Sequence, residues 1–524
     1  MSTFDLRLAA PALAAWLTAV VVAHHRPAVG FIFAVPGAFA AALLTIVGSG
    51  RTAGRRRLAA ASCLCAAGAA AAVAWRVSAL ERSPLRPLAE RHAHVTIELR
   101  VDDDPQRLRP QRGDGPRRTL VGTRATALLV TDEQGTRWRL HVPVFVLAGG
   151  SEWLGLQPTQ RIRADGVLQP GQRGRFQAAT FAARGPPITV SPAAGWQSAA
   201  GRVRDALQRA AVHLPPAAGG LLPGLVDGDT SRLPDTVAAD FTTTGLSHLV
   251  AVSGTNVSIY LAALLAVCRR LLPRIGGRIA VAVAGLACFV VVARPHPSVL
   301  RAATMGLVLT LGRAAGGGLS GVGVLGAATL LLVYADPALA TNYGFALSVV
   351  ATAALLVAAP PLTDLLARRL PRSLAEALAI PLAASTACAP LIVTFAGTIS
   401  VYAVPANMAA EVAVAPATVL GVAAAAVAPW WSTGGAVLAT LGAIPCAWIV
   451  SVARVFAALP GATLRWPSGA VGGVALAAVE LSVAAAVAFF GHASQLPRRR
   501  SIRDDGFGSR DPTRPRPPHG DRRR

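Results

Sequence analysis

The chain has 524 residues, of which 53% are hydrophobic and 15% charged, and its mean hydropathy is +0.50. That balance excludes an ordinary soluble domain, in which about a quarter of residues are charged. The formal charge is +24 with no lysine present, which excludes a lysine-bearing nucleotide loop of the Gly-x4-Gly-Lys-Ser/Thr kind.

Apolar runs of bilayer-spanning length recur along the chain. Residues 1–80 hold three predicted N-terminal transmembrane helices, near 8–23, 30–48 and 58–76. The loop "GRTAGRRR" between the second and third is strongly basic. The positive-inside tendency places it, and the N-terminus, in the cytoplasm. Trp75 then stands at the outer exit of the third span, where an interfacial aromatic is expected. Cys63, Cys65, Cys268, Cys288, Cys388 and Cys446 all lie in or beside apolar segments, so no disulfide framework is expected.

Residues 81–200 change character, with more Pro, Arg and Asp. In "HVTIELRV", Val95, Ile97, Leu99 and Val101 point one way and Thr96, Glu98 and Arg100 the other, the pattern of a half-buried strand. "RRTLVGTRATALLV", "TRWRLHVPVFVLAG", "RIRADGVLQP" and "RGRFQAATFAARG" continue it. About five short strands predict a small extracytoplasmic β-barrel of OB-like type. The region carries 17 arginines against 11 acids, a basic surface facing outward.

Residues 201–245 read as an interfacial amphipathic segment, with a short helix between Pro234 and Gly245. Residues 246–492 hold roughly nine spans. Basic loops at 269–278, at Arg313 and at 368–372 all fall on the cytoplasmic side when crossings are counted from an external barrel. Pro381, Pro390, Pro405 and Pro416 predict kinked or discontinuous helices. The tail, residues 493–524, has ten arginines and four aspartates and is expected to be disordered and cytoplasmic. The predicted fold is a polytopic α-helical membrane protein of about twelve transmembrane helices with one inserted β domain.

The stretch "HLVAVSGTNVSIY" puts His248, Ser253, Gly254, Thr255, Asn256 and Ser258 inside an apolar run. On a continuous helix Ser247, Gly254 and Ser258 form a small-residue stripe that lets a neighbour approach. Ser253 and Asn256 then fall among leucines. Unwinding near Gly254 removes that conflict, because broken backbone at membrane depth is tolerated where it is buried or lines water. Close packing and a polar path both stay open. Arg301, Glu411, Arg454 and Glu480 are ionisable groups in apolar runs and functional candidates by default. Mutual pairing of Glu411 or Glu480 with Arg301 or Arg454 is the purely structural alternative.

These residues carry a resemblance. "LVDGDTSRLPDTVAADFTTTGLSHLVAVSG" resembles the signature of the ComEC-type competence family, at Gly228, Asp229, Thr244, Gly245, Leu246, His248, Leu249, Ala251, Ser253 and Gly254. "PSVLRAATMG" is similar to its Ser-x-x-Arg-Ala-x-x-Met segment, at Ser298, Arg301, Ala302 and Met305. "DPALATNYGFALS" resembles its Asp-Pro … Gly-Phe-x-Leu-Ser segment, and Pro405 with Asn407 its Pro-x-Asn. The likeness covers most of residues 60–490. Asn256 stands where the family often has a second histidine, and Ala346 where glutamine is usual. Many members also carry a C-terminal metallo-β-lactamase-like domain with a His-x-His-x-Asp-His motif. About thirty residues follow the last predicted span, and "RHAHVTIE" has His92 and His94 without the Asp-His pair. A nuclease role is therefore expected on a separate chain.

The resemblance implies an inner-membrane channel for single-stranded DNA in natural transformation, 246–492 being the channel domain of a bacterial cytoplasmic membrane protein. No catalytic residue, metal or cofactor is expected. Asp229, His248, Ser253, Gly254, Thr255, Asn256, Arg301, Asn407 and Glu411 are the candidate channel residues. Expected partners are single-stranded DNA, the lipid bilayer, a separate nuclease, a cytoplasmic ATP-driven motor and a second copy of the chain. Trp138, Phe145, Trp153 and Phe176 are the aromatics offered to stacked bases, or else core. The alternative is a proton-coupled small-solute or lipid transporter using Glu411 and Glu480. A serine protease reading pairs Ser253 with His248, but five residues, about 140° of helix, keep the two apart.

Overall fold

A helix satisfies its own backbone, so long apolar runs in lipid fold as helices. The computed structural model describes residues 7–46, 53–108, 120–172, 174–250, 254–294, 296–314 and 320–493. Three helices open the chain: α1 (Ala9–Ala23), α2 (Pro27–Ile46) and α3 (Ala53–Glu81). Small residues let α2 and α3 close on each other. A Cβ built at Gly30 would lie 2.6 Å from the Ala74 Cβ, and one at Gly37 would lie 3.2 Å from that of Ala67. A short α4 (Leu85–Glu90) leads into the strands.

The strands are β1 (His94–Val101), β2 (Gln106–Leu108), β3 (Leu120–Asp132), β4 (Arg137–Gly149), β5 (Arg161–Pro170) and β6 (Ala179–Ser191). In β1 the alternation holds: Val95, Ile97, Leu99 and Val101 are buried, and the residues between them half-buried. The sheet order is β1-β5-β6-β4-β3-β2, and β1 also pairs with β3. All neighbours run antiparallel except β4 and β6, which are parallel. The expected closed barrel is not formed. β4 and β6 share only the register Val144–Leu147 with Ala179–Ala182, and the extra strand β2 pairs with β3 alone. Trp153, Phe181, Ile97, Leu99, Ile162 and Leu168 fill the interior of this curled sheet.

The helical part continues with α5 (Gly195–Ala210), α6 (Pro216–Asp227), α7 (Asp235–Thr243), α8 (Ser247–Val250) and α9 (Gly254–Leu271). Next come α10 (Ile275–Ala293), α11 (Pro297–Ala314), α12 (Gly321–Ala335), α13 (Tyr343–Val357) and α14 (Ala359–Leu366). Last are α15 (Arg372–Ala396), α16 (Ala403–Val427), α17 (Ser432–Ala457) and α18 (Gly469–Ala493). Among the described residues seven helices are long and apolar enough to cross a membrane, and an eighth arises if α13 and α14 form one span bent by 45°. This count does not confirm the expected twelve; α1, residues Pro297–Gly312 of α11, and α12 are apolar but shorter.

The bend falls between α13 and α14, next to Pro360 and Pro361. α15 is one continuous helix through Pro381 and Pro390 and α16 through Pro416, while Pro405 lies in the first turn of α16, so of the kinked or discontinuous helices expected there the discontinuous form is not seen. α8 is described to Val250 and α9 from Gly254, and the unwinding expected near Gly254 falls at residues 251–253, outside the described residues.

α6 is the pivot of the largest apolar core. It packs against α16 and α17, and Leu222 is fully buried there. A Cβ at Gly421 would lie 2.5 Å from Val226 Cγ2, and one at Gly442 would lie 3.1 Å from Leu222 Cδ1. A two-stranded ribbon, β7 (Thr398–Ser400) with β8 (Thr463–Arg465), was not legible in the sequence. It joins the α15–α16 loop to the chain beyond α17, and Ser400 Oγ donates to the Thr243 carbonyl of α7 at 2.6 Å.

Candidate functional site

Three stretches distant in sequence meet at Arg301, on α11. The side chain belongs to a residue only 6% exposed. Its Nε donates to Ser348 Oγ of α13 at 2.6 Å, and its Nη1 lies 3.1 Å from Met305 Sδ. On the other side it presses on Gly254, the first residue of α9, where a Cβ would lie 2.7 Å from Nη2. A side chain at 254 would therefore have to shift the arginine's terminal group. Among the described residues no carboxylate forms an ion pair with Arg301. A guanidinium held among apolar helices without a carboxylate partner is costly, which keeps Arg301 a functional candidate.

Asn256 follows two residues later and is fully buried. Its Nδ2 donates to the Leu225 carbonyl at 2.9 Å. Leu225 is in the last turn of α6, where carbonyls lack intrahelical partners, so the asparagine satisfies one of them. α6 then stops at Gly228 in the left-handed region, φ +80°. The turn folds Asp227 over the Asp229 amide at 2.9 Å. Asp229 accepts from the Ser231 amide at 2.9 Å and from Gln208 Nε2 at 3.0 Å. Asp227 is 1% exposed, and burial pushes its carboxyl up to about 6 against the pull of Arg204.

Arg204, on α5, links this turn to the β domain. It donates to the carbonyls of Asp227 at 3.2 Å and Val292 at 3.1 Å. Its Nη2 lies 3.1 Å from Asp104 Oδ2. The same carboxylate oxygen lies 2.9 Å from Nε of Arg294, which caps α10 and bonds Gln197. Asp104 sits in the turn between β1 and β2, where three successive acids divide. Asp102 accepts from Thr126 Oγ1 at 2.6 Å and Asp103 pairs with Arg124, both within the sheet domain. Asp104 alone reaches across to α5 and the end of α10. Arg294 holds φ +65° and ψ 155°, a region that costs a side-chain-bearing residue of order 1–3 kcal/mol; Asp104 and Gln197 hold it there.

The candidates distribute unevenly around these contacts. Gly254, Asn256, Arg301 and Asp229 take part in them. His248 is exposed, with Nδ1 3.2 Å from the Gly245 carbonyl, and Thr255 is exposed. Ser253 lies outside the described residues. Asn407 bonds its own helix through the Ala403 carbonyl at 2.7 Å. Glu411 is exposed on α16, and among the described residues it forms no ion pair with Arg301 or Arg454. Glu480 is half-buried on α18. Trp153 and Phe176 are buried, which makes them core rather than stacking platforms, while Trp138 and Phe145 are half-buried. Among the described residues no three His, Cys, Asp or Glu side chains converge as metal ligands.

The sequence reading missed Asp104, Arg204, Asp227 and Arg294. The signal for Arg294 was an arginine ending an apolar run just before Pro295, and Asp227 stands two residues from the recognised Asp229. A family model described as Competence protein matches residues 225–490, which contains Asp227, Gly254, Arg294, Arg301 and Ser348. No curated protein and no solved structure matches the chain.

Proposed function

The chain belongs to the competence protein family, which ties it to DNA-uptake competence, and we propose that it is the inner-membrane component through which single-stranded DNA enters the cell. The observation that carries this reading is the buried Arg301 contact. A cation without a carboxylate, set between the starts of α9 and α13, suits the passage of a polyanion. The net charge of +24 and the basic β domain support the same substrate, since phosphate contacts dominate affinity for nucleic acid. In this reading the sheet domain lies outside the membrane, and both termini are cytoplasmic. The driving motor and any nuclease are separate chains. A proton-coupled transporter would place carboxylates on its path. Among the described residues Arg301 has no carboxylate in an ion pair, so its charge stays available to an anion, which favours the polyanion.

The test is uptake of end-labelled duplex DNA by a competent strain deleted for this protein. Surface-bound label should persist, nuclease-protected label should vanish, and wild type should restore it for one strand only. Unchanged internalisation in the deletion strain would remove the channel reading and promote the small-solute transporter.

A further inference from the structure

The ion pair of Asp104 with Arg204 and Arg294 joins parts of the chain that the recognised signature does not. We propose that Arg204 and Arg294 form a phosphate-group site at the mouth of the helical part, which Asp104 occupies in the resting protein and a phosphodiester of the incoming strand takes over. The inference rests on the DNA reading above for the identity of its ligand.

Four observations carry it. One carboxylate oxygen, Asp104 Oδ2, meets both guanidinium groups, at 3.1 and 2.9 Å, as an oxygen of a phosphate would. Both arginine side chains are mostly covered, 13% and 7% exposed, whereas Asp104 is the more accessible partner at 28%. A ligand therefore gains the site by displacing the turn rather than by approaching from the side. The two arginines are fixed from behind by protein groups that stay when Asp104 leaves: Arg204 by the Asp227 and Val292 carbonyls, Arg294 by Gln197. Finally, among the described residues Asp104 is the only carboxylate in an ion pair with Arg294, so its departure leaves a buried guanidinium needing an anion. Besides Asp104, three carboxylates, Asp227, Asp229 and Asp205, act on Arg204 and only Asp227 of these on Arg294, which assigns the larger part of the phosphate's attraction to Arg294. The strained backbone at Arg294 fits a residue placed for a ligand rather than for helix termination.

The experiment uses the full chain in nanodiscs of zwitterionic lipid and a fluorescent oligothymidylate strand. Asp104→Asn should bind the strand several-fold more tightly than wild type, with a salt dependence steeper by about 0.7 for each arginine freed. Asp205→Asn removes the same charge from the same neighbourhood without freeing an ion-paired arginine, and should change binding little. Adding Arg294→Gln to Asp104→Asn should abolish the gain. Equal gains in Asp104→Asn and Asp205→Asn, or no gain at all, would overturn the site. Hydrogen exchange on the wild type gives a second readout that needs no variant. The β1–β2 turn should exchange faster with the strand bound, and slower or unchanged exchange would also overturn it. If no form binds the strand but Asp104→Asn gains affinity for inorganic polyphosphate through Arg294, the site stands and the DNA reading falls.

Discussion

At the scale of single residues, the close contacts set what each substitution does. Asn256 satisfies an end-of-helix carbonyl inside the core. Asn256→Ala should leave the Leu225 carbonyl buried without that donor, at a cost of about 1–3 kcal/mol, read as a lower thermal midpoint of the detergent-solubilised protein. Asp227 gives a pH dependence with a definite sign. Its folded-state value, about 6, is above the ordinary 3.8, so the folded protein binds the proton more tightly than the unfolded chain. The stabilisation is complete below pH 3.8 and is lost as pH rises toward 6. Asp227→Asn should flatten the fall in thermal midpoint that wild type shows over that window. A wild-type midpoint that rises through it would contradict the assignment.

At the scale of elements, α6 couples the core to the site. Leu222 and Val226 lie against Gly421 of α16, and Leu222 also against Gly442 of α17; on either side of Val226, Leu225 and Asp227 hold the polar contacts. Gly421→Val should therefore push α6 off α16, with an overpacking cost of about 1–3 kcal/mol, and should lower DNA internalisation together with stability. Leu222→Ala should cost about 2–5 kcal/mol through the cavity it leaves. Intact internalisation in either variant despite a lowered midpoint would separate α6 from the route. Elements were the most legible level of the sequence. The period-two runs that contain Val95 to Val101 and Ile162 to Leu168 became strands because each has one face on a shared core. Sheet closure was not legible, since it depends on how far β4 and β6 run side by side, which no local pattern records. α15 and α16 stay continuous through their internal prolines, and a bend of 45° is at Ala358, ahead of a proline pair.

At the scale of the molecule, function is concentrated where distant segments meet. The recognised signature was legible as a motif, yet its physical content was not. Nothing in the spacing of Gly254, Arg301 and Ser348 says that the glycine is small to admit the arginine, or that the serine holds it. The link from Asp104 to Arg294 spans 190 residues and joins a strand turn to a helix end, beyond the reach of any periodicity. If the chain passes single-stranded DNA as proposed, two arginine stations, one at Arg204 and Arg294 and one at Arg301, stand on the way of the strand. The measurement that tests it most directly is the ratio of internalised to surface-bound DNA in a competent deletion strain restored with Gly254→Leu or Leu264→Ala, at matched levels of membrane-inserted protein. Both positions are on α9, but only Gly254 touches Arg301. The account predicts a fall of about tenfold or more for Gly254→Leu, whose side chain cannot fit without moving the guanidinium, and a ratio near wild type for Leu264→Ala. Full internalisation by Gly254→Leu would contradict it.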